Sequence, residues 1–264
     1  MKRLLVISVL FIGGCTARHI SNSPLPETGS VSVNGKLFAT VFQQKAAEYK
    51  ALCFQAFNIA RWQLDIYQPI STRPKAIVTD IDETVLDNSP YEAHQTLKGK
   101  DYEPASWYEW TARASADTVP GAPSFLKYAA SKGIEVFYIT NRLEREREST
   151  LRNLQKFDFP NADNAHFFPK LDTSSKESRR MKLADTHEVI MLLGDNLADF
   201  SNFFDKRTQQ ERDQNTERFA AEFGSRFIVL PNTSYGDWES ALYKAKRLTE
   251  AQKDSVIRAE VKTY

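Results

Sequence analysis

The 264-residue sequence has few residues that could form disulfides or act through a thiol or an imidazole, since it contains two cysteines and four histidines. It contains no Arg-His-Gly motif, no Cys-x5-Arg motif and no pair of histidines with metal-ligand spacing. These absences argue against covalent catalysis by histidine or cysteine and against a histidine metal site. The histidines are expected on the surface or in turns.

A strong charge of either sign is also missing, since 35 lysines and arginines stand against 34 aspartates and glutamates, for a net charge of +1. Such a balance produces no field suited to nucleic acid or to an anionic membrane, although it is compatible with a local positive pocket. We therefore expect no nucleic-acid polymer among the partners. With 41% hydrophobic residues, the chain suits one medium globular domain with a minor second lobe.

The N-terminus has the layout of a secretory signal. Two basic residues precede an apolar run from Leu4 to Ile12, and Gly13-Gly14 supplies the small residues of a cleavage site. Residues 1–14 are therefore predicted to be a signal peptide, which is too short to span a bilayer as a mature helix.

Cys15 directly follows this site and resembles the acylated cysteine of a bacterial lipobox; an ordinary signal peptide with an incidental cysteine is the alternative. Acylation would anchor the chain in a membrane of the bacterial cell envelope, as an outer-membrane or periplasm-facing lipoprotein. It would leave Cys53 as the only thiol, so that no internal disulfide could form. Residues 15–36, rich in Ser, Pro, Gly and Asn from His19 to Asn34, are predicted to be a flexible tether.

The pattern of apolar residues predicts the fold class. Apolar residues recur at spacings of three and four from Phe38 to Leu64, which predicts one long amphipathic helix. Short apolar runs then alternate with helical stretches. The predicted strands are 76–78, 134–139, 189–193 and 227–230, and the predicted helices are 123–131, 144–157, 175–184 and 209–223. This alternation indicates an α/β fold with a doubly wound parallel sheet.

One folded domain is predicted over residues 37–264. Its parts are an α/β core over about 74–86 and 121–236 and a small helical lobe formed by about 37–73, 87–120 and 237–264. The aromatic and polar insertion Asp87–Pro120 interrupts the alternation, and we expect it to cover the carboxyl edge of the sheet.

Two carboxylates follow the first predicted strand directly, in the run Asp80-Ile81-Asp82-Glu83-Thr84. Side chains at i and i+2 of an extended chain point the same way, so Asp80 and Asp82 face one place at the edge where open α/β sheets bind ligands. Two carboxylates this close repel each other and favour a cation, and oxygen ligands favour Mg²⁺.

A second acidic motif, Gly194-Asp195-Asn196-Leu197-Ala198-Asp199-Phe200, follows the third predicted strand. Four carboxylates converging from two strand ends would be costly to fold without a metal ion. The alternative is that each aspartate is only a helix cap or a turn residue. The presence of both motifs at the expected strand ends favours the metal site.

Two shorter fragments complete the candidate site. Thr140-Asn141-Arg142 follows the second predicted strand and offers a hydroxyl, an amide and a guanidinium to phosphate oxygens. Lys176 starts a predicted helix, where an ammonium could neutralise both a nucleophile and a transferring phosphate. Neither fragment is specific by itself.

These motifs, in this order, resemble those of the haloacid dehalogenase superfamily. The runs from Asp80 to Tyr91 and from Gly194 to Phe200 are similar to the two signatures of bacterial class C, or non-specific, acid phosphatases, which are exported lipoproteins. The similarity extends from about Phe42 to the C-terminal helix. Thr79 departs from the signature, which has an aliphatic residue there; because Thr is isosteric with Val, we expect no loss of chemistry.

The resemblance implies a Mg²⁺-dependent acid phosphatase that hydrolyses small phosphomonoesters. It assigns Asp80 as the nucleophile that forms an aspartyl-phosphate and Asp82 as the general acid and base. Mg²⁺ would bind Asp80, the backbone carbonyl of Asp82 and Asp195, with Asp199 orienting Asp195 or a metal-bound water. Thr140, Asn141 and Lys176 would bind phosphate oxygens.

The resemblance also places aromatic residues at Trp107 and Tyr235, where they would stack on the base of a nucleoside monophosphate, as in a nucleotidase. The alternative is that Trp107 and its aromatic neighbours pack the small lobe. Two other functions stay open: a phosphotransferase on the same fold and a non-catalytic nucleotide-binding surface lipoprotein. Retention of both Asp80 and Asp82 argues against the second, and whether the chain forms a homodimer is left open.

Overall fold

The computed structural model describes residues 30–264. Its central sheet has five parallel strands, which in chain order are β1 (Lys75–Thr79), β4 (Glu135–Leu143), β5 (Phe167–Lys170), β6 (Glu188–Gly194) and β7 (Phe227–Val229). A separate two-stranded ribbon pairs β2 (Leu86–Asp87) with β3 (Asp117–Thr118). The order of strands across the central sheet is β5-β4-β1-β6-β7. The predicted fold class is confirmed.

Helices cover both faces of this sheet. In chain order they are α1 (Val31–Lys45), α2 (Ala47–Ile66), α3 (Ser89–Thr96), α4 (Pro104–Ala112), α5 (Ala122–Ser131), α6 (Arg147–Lys156), α7 (Glu177–Ala184), α8 (Gln209–Arg218), α9 (Asp237–Leu242) and α10 (Glu250–Glu260). Alternate residues of the strands enter two separate hydrophobic clusters, one on each face. Ile77 belongs to the cluster that includes α2 and α5 residues, whereas Val78 packs with Leu183 of α7.

The predicted single helix from Phe38 to Leu64 is wrong, because the chain forms two helices with extended backbone at Ala46 (φ −78°, ψ 127°). The apolar spacing runs through the break, but α1 turns Phe38 outward (76% exposed) and buries polar residues such as Gln43. Gln43 Nε2 donates to Asp87 Oδ1 at 2.8 Å. Hydrogen bonding to the insertion therefore decides which face of α1 is buried.

The helical lobe consists of α1, α3, α4, α9 and α10, with α1 packed on α3 and α10. The carboxylate of Asp254 on α10 accepts hydrogen bonds from the backbone N–H groups of Val31 (2.9 Å) and Ser32 (3.0 Å). Residues 31–36, predicted as part of the tether, are therefore helical and attached to the lobe. Residues 15–29 of the predicted tether, the signal peptide and Cys15 lie outside the described residues.

Helix α2 differs from its predicted place in the lobe, because it packs on α5 and β7 of the core. Its Cys53 and Ala60 are completely buried in the core cluster, and Cys53 is a free thiol. Strand β5 was not predicted from the sequence; its four residues include Pro169 and give too short a pattern to recognise. Within residues 30–264, no helix combines the length and the apolar character needed to cross a membrane.

Candidate active site

Strand β1 ends at the first acidic residue of the site. The backbone N–H of Asp80 donates to the carbonyl of Leu193 on β6 at 2.9 Å, so pairing within the sheet fixes where this side chain leaves the strand. Its carboxylate contacts the ammonium of Lys176, which directly precedes α7. Burial raises the pKa of Asp80 to about 7, although Lys176 opposes the shift. The carboxylate is thus poorly solvated and has one fixed cationic neighbour.

Asp82 lies two residues further along and is held by two different elements. Its Oδ1 accepts hydrogen bonds from Arg142 Nη2 at 2.7 Å and Arg142 Nε at 3.0 Å. It also accepts from Asn88 Nδ2 at 2.8 Å. Arg142 is a buried residue near the end of β4. The orientation of the Asp82 carboxylate is therefore set by a charged and a neutral partner together.

Asp195, directly after β6, has only neutral hydrogen-bond partners among the described side chains. Its Oδ2 accepts from Asn232 Nδ2 at 2.7 Å and its Oδ1 accepts from Thr84 Oγ1 at 3.3 Å. Burial raises the pKa of Asp195 well above its usual range, and the nearby charges of Asp199 and Asp80 raise it further.

Asp199 approaches the same place because Gly194 has no side chain. A Cβ at position 194 would lie 2.4 Å from Asp199 Cβ, which no structure tolerates. Asp199 Oδ1 lies 2.6 Å from Lys176 Nζ. Burial acts to lower the pKa of Lys176, but Asp199 and Asp80 outweigh it and the pKa is raised. Lys176 is thus a fixed cation that bridges two carboxylates.

The donor set fits a divalent cation. One carboxylate oxygen from each of Asp80, Asp195 and Asp199 lies within 4.8 Å of the other two. All three donors are oxygens, which hard cations such as Mg²⁺ prefer. Burial is the main cause of the raised pKa values of Asp80 and Asp195, and the charges of neighbouring carboxylates raise them further, so a bound cation would stabilise the ionised cluster. The structure brings Asp199 as close as the predicted ligands Asp80 and Asp195.

Glu83, directly after Asp82, has specific hydrogen-bond partners in the structure. It adopts left-handed backbone (φ 56°), which is unfavourable for a side chain of this kind. Its buried carboxylate accepts hydrogen bonds from the Asn88 N–H (2.7 Å) and from the Tyr235 hydroxyl. Burial raises the pKa of Glu83 well above its usual range. The turn after β1 is therefore tied to the loop after β7.

The predicted phosphate-binding residues differ in whether they reach the cavity. Lys176 and Asn141 line the cavity over the strand ends. Thr140 is fully buried behind them, and its Oγ1 accepts from the Arg142 N–H at 3.0 Å. Asn141 is exposed, and its Oδ1 accepts from Arg179 Nη2 at 3.2 Å. In this arrangement Asn141 and Lys176 can reach a ligand directly, whereas Thr140 supports Arg142.

A cavity of about 440 Å³ lies over the carboxylates, within the range of small-molecule sites. Both aromatic residues singled out in the sequence line it, together with Tyr102. Trp107 is 9% exposed and packs edge-to-face on Tyr91, with ring centroids 5.1 Å apart. Its Nε1 donates to Glu146 Oε1 at 3.0 Å. Trp107 is thus a wall of the cavity and also part of the packing of the lobe.

A second group of charges belongs to the helical lobe, and several of its members line the same cavity. We call it the lobe network; its members are Lys36, Asp101, Glu239, Glu250 and Lys253. Lys36 Nζ lies 2.8 Å from Asp101 Oδ1 and 3.2 Å from Glu239 Oε2. Lys253 Nζ lies 2.6 Å from Asp101 Oδ2 and 2.8 Å from Glu250 Oε1. Sequence reasoning identified none of these residues.

Two further site residues were missed or misassigned. Asn232, which binds Asp195, follows the last strand, and the reasoning that polar residues at strand ends converge could have found it. Arg142 was expected to face phosphate, but its guanidinium is bound to Asp82. Nothing in the spacing of Asp82 and Arg142 signals that pair, because 60 positions separate them.

Comparisons with known proteins agree with this geometry. The family model described as HAD superfamily, subfamily IIIB (Acid phosphatase), matches residues 29–238. The structure of the class C acid phosphatase from Bacillus anthracis is similar at 37% identity and a TM-score of 0.85, covering 88% of this chain and 99% of that one. A structure of the same enzyme with tungstate bound matches with the same identity and TM-score, over 89% and 99% of the two chains.

A more distant match is to "Acid phosphatase 1" from Solanum lycopersicum. It is 27% identical over 82 residues, which are 31% of this chain and 32% of that protein. The chain therefore spans about a third of the length of this relative.

Proposed function

Because this chain belongs to subfamily IIIB of the HAD superfamily, the acid phosphatases, we propose that it hydrolyses small phosphomonoesters, nucleoside monophosphates among them, through a phosphorylated Asp80. The resemblance predicted from the two acidic motifs is confirmed. The observation that carries the proposal is the convergence of Asp80, Asp195 and Asp199 beside Lys176 at two adjacent strand ends, with Asp82 held by Arg142 two residues after Asp80.

In the first step, a carboxylate oxygen of Asp80 attacks the phosphorus and the bond from phosphorus to the ester oxygen breaks. Asp82 gives a proton to that oxygen, so the alcohol leaves neutral. The contact of Lys176 with Asp80 supports this role, because an ammonium favours the ionised nucleophile and offsets charge on the incoming phosphate.

In the second step, the oxygen of a water molecule attacks the phosphorus of the aspartyl-phosphate. Asp82, now a carboxylate, accepts the proton from that water, and the bond between phosphorus and Asp80 breaks to release inorganic phosphate. Both steps need Asp82 in one orientation. The hydrogen bonds from Arg142 and Asn88 support that requirement.

A divalent cation, Mg²⁺ by the chemistry of its donors, completes the proposed site. Asp80, Asp195 and the backbone carbonyl of Asp82 would hold it, and Asp199 lies close enough to hold it directly or through water. When bound, it supplies positive charge to the transferring phosphate. Asn141 and Lys176 would contact the remaining phosphate oxygens, with Thr140 behind them.

Preference for nucleoside monophosphates is supported by the aromatic part of the cavity wall. Trp107, Tyr235 and Tyr102 all line the cavity above the carboxylates. An aromatic ring can stack on any base, at ~1–3 kcal/mol per stacked base. The cavity of about 440 Å³ is open to solvent on one side, which suits a site that accepts several small esters.

The experiment that tests the proposal measures phosphate release over a panel of nucleoside monophosphates, sugar phosphates and alkyl phosphates, with Mg²⁺ and after chelation. We expect release with Mg²⁺, loss on chelation and recovery when Mg²⁺ is added back. Lack of release from every ester in the presence of divalent cations would contradict the proposal and favour a nucleotide-binding lipoprotein.

The same assay, run with an added alcohol, distinguishes hydrolysis from transfer. For a hydrolase, alcohol consumption stays far below phosphate release, because water reaches the aspartyl-phosphate first. A new phosphate ester formed in amounts comparable with phosphate would make the chain a phosphotransferase, with the same role for Asp80.

A lipid anchor at Cys15, in the bacterial cell envelope, is a separate part of the proposal. It is supported by the apolar run and the small residues that precede this cysteine. The wild-type protein, expressed in bacteria, should partition into the detergent phase, and Cys15→Ser should be soluble and equally active. A Cys15→Ser variant that still sediments with membranes would contradict the anchor without affecting the proposed chemistry.

A further inference from the structure

A basic groove lies beside the catalytic cavity. It has a volume of about 760 Å³, and its walls are the segment that leads into α8 and the segment that follows α9. Five cationic residues line it: Lys206, Arg207, Lys244, Lys246 and Arg247. Only one carboxylate, Asp237, is among the lining residues. In a chain whose net charge is +1, this is a strong local concentration of positive charge.

The charges of the groove are available to a ligand. All five cationic residues are exposed, and four of them form no ion pair with any residue of the described chain. The fifth, Arg207, lies 3.9 Å from Glu211, which is at the limit of a contact. Asp237 is half-buried and interacts with Arg212 and Asn196, so a single shared carboxylate faces five cationic residues. The groove therefore keeps an excess of positive charge.

The backbone holds both walls in defined turns. Lys206 on one wall (φ 51°) and Lys244 and Ala245 on the other (φ 53° and 54°) adopt left-handed backbone. Consecutive left-handed residues bend the chain sharply after α9, which sets Lys244, Lys246 and Arg247 along one side of the groove.

The groove adjoins the catalytic cavity. Asp237 and Ser240 line both, and Ser174, on the groove side, is two residues before Lys176 in the chain. A substrate whose phosphate lies at Asp80 and Lys176 can therefore extend across this shared wall into the groove. An exposed patch elsewhere on the surface would have no such connection to the reacting atoms.

We propose that the basic groove is a second anion subsite, which binds a further phosphate group of substrates that carry two or more, while the terminal phosphomonoester reacts at Asp80. This inference rests on the proposed phosphatase function and extends it to a substrate class, the flexible bisphosphates and related polyanionic monoesters. The groove would contribute to KM rather than to the chemical step, because it lies away from the bond that breaks.

The test compares alkanediol bisphosphates of three to eight carbons with the alkyl monophosphates of the same lengths. The full chain should hydrolyse the bisphosphate of one optimal length with ~10-fold higher kcat/KM than its monophosphate, since several exposed charge contacts of modest strength add up. The advantage should reside in KM and should fall as ionic strength rises. The optimal length measures the distance from Asp80 to the groove.

The triple variant Lys244→Gln, Lys246→Gln, Arg247→Gln should bring the ratio of bisphosphate to monophosphate kcat/KM close to one. The matched control, Lys45→Gln, Lys50→Gln, Lys182→Gln, removes the same charge from exposed positions outside the groove and should keep the ratio of the wild type. A ratio of one in the wild type at every length, or a ratio unaffected by the groove variant, would overturn the subsite.

Non-hydrolysable phosphonate analogues separate this inference from the proposed function. Their dissociation constants, measured by calorimetry, report the same preference even if the chain releases no phosphate from any ester. Tighter binding of the bisphosphonate that is lost in the groove variant supports the subsite; equal binding of bisphosphonate and monophosphonate contradicts it, whatever the outcome of the hydrolysis assay.

Discussion

The cavity of this protein is bordered by two groups of charged residues, which differ in how completely cations neutralise their carboxylates. In the lobe network, every carboxylate lies within 3.2 Å of a lysine ammonium. In the strand-end cluster, formed by Asp80, Asp82, Asp195, Asp199, Lys176 and Arg142, four carboxylates share two cations, and Asp195 pairs with neither of them.

The pKa directions express this difference. Burial opposes ionisation of Asp101, but Lys36 and Lys253 prevail and lower its pKa to about 2. At the strand ends burial prevails, and the pKa of Asp80 is raised to about 7. The contrast is not complete, because burial also raises the pKa of Glu239 in the lobe network, and raises that of the neighbouring Glu92 to about 7, although Lys36 opposes both shifts.

The comparison suggests a criterion for function. Charges that neutralise one another stabilise a fold and need no ligand. A carboxylate cluster with too little positive charge is neutralised when a cation binds. We therefore expect variants of the strand-end cluster to lose activity and keep stability, and variants of the lobe network to do the reverse.

Asp80→Asn should have the largest effect. The amide keeps the shape of the side chain and removes the proposed nucleophile, so kcat should fall by at least ~10³ on every ester, because the proposed covalent mechanism would lose its first step. The melting temperature should stay equal or rise, since a buried charge with a raised pKa is removed. Phosphate release and thermal unfolding measure the two quantities.

The control for this variant is Asp185→Asn, the same change at an exposed carboxylate outside the cavity, which should leave both quantities as in the wild type. Activity of Asp80→Asn within a few-fold of the wild type would mean that another group attacks phosphorus.

Arg142→Gln should have the next largest effect. It removes the charged partner that orients Asp82, so kcat should fall ~10²-fold for alkyl phosphates, whose leaving group needs a proton. The loss should be much smaller for p-nitrophenyl phosphate, whose leaving group needs little protonation, and Asp82→Asn should follow the same pattern. Arg142→Lys should recover part of the activity.

An equal loss on both substrates together with a lowered melting temperature would instead assign Arg142 to the packing of the core, since its Nη1 also donates to the buried Thr150. The ratio between the two substrates is therefore the informative quantity, because a change in the folded fraction alters both rates by the same factor.

The acidic residues of this site could be predicted because each directly follows a strand, and the strands follow from short apolar runs. Asp80, Asp195 and Asp199 are within five residues of a strand end, so local pattern and one rule of sheet topology place them together. Asn141 was found by the same reasoning at a weaker local signal, whereas Lys176 was singled out at the start of a predicted helix.

The sequence did not reveal which side chains of distant elements contact one another. The contacts of Arg142 with Asp82, of Tyr235 with Glu83 and of Lys36 with Asp101 join residues 60, 152 and 65 positions apart. Each depends on how loops and helices pack, for which no periodicity exists. The break at Ala46 was missed for the same reason, because bonds to the insertion override the apolar spacing of α1.

Asp101→Asn tests the expectation that variants of the lobe network lose stability and keep activity. It removes a carboxylate shared by Lys36 and Lys253, and we expect it to lower the free energy of unfolding by ~2 kcal/mol at pH 7, with phosphatase activity at 25 °C retained. Because the pKa of Asp101 is lowered in the folded state to about 2, its contribution is complete above about pH 4 and is lost as pH falls towards 2.

Urea unfolding of the wild type and Asp101→Asn at pH 7 and at about pH 3 measures this effect, with Asp185→Asn as the control. The difference between the two proteins should shrink on acidification. A difference that is independent of pH would show that the lobe network contributes packing and not charge.

Substitution of Tyr235 should have the smallest effect. This residue lies where the strand-end cluster and the lobe network both border the proposed substrate site. Its ring lines the cavity and its hydroxyl donates to Glu83, so two substitutions separate two roles. Tyr235→Ala should lower kcat/KM by ~10-fold for a nucleoside monophosphate, as expected for one lost stacking contact, and much less for an alkyl phosphate. Tyr235→Phe keeps the ring and removes only the bond to Glu83.

If base stacking is the role of the ring, Tyr235→Phe keeps the preference for nucleotides even where its melting temperature falls. Trp110 provides a comparison, because its Nε1 donates to Asn88 Oδ1 (2.8 Å) and its ring does not line the cavity. Trp110→Phe should therefore change both substrates alike. Equal losses on nucleotide and alkyl phosphate for Tyr235→Ala would mean that this loop holds Glu83 and the turn after β1, and that substrate choice is made elsewhere in the cavity.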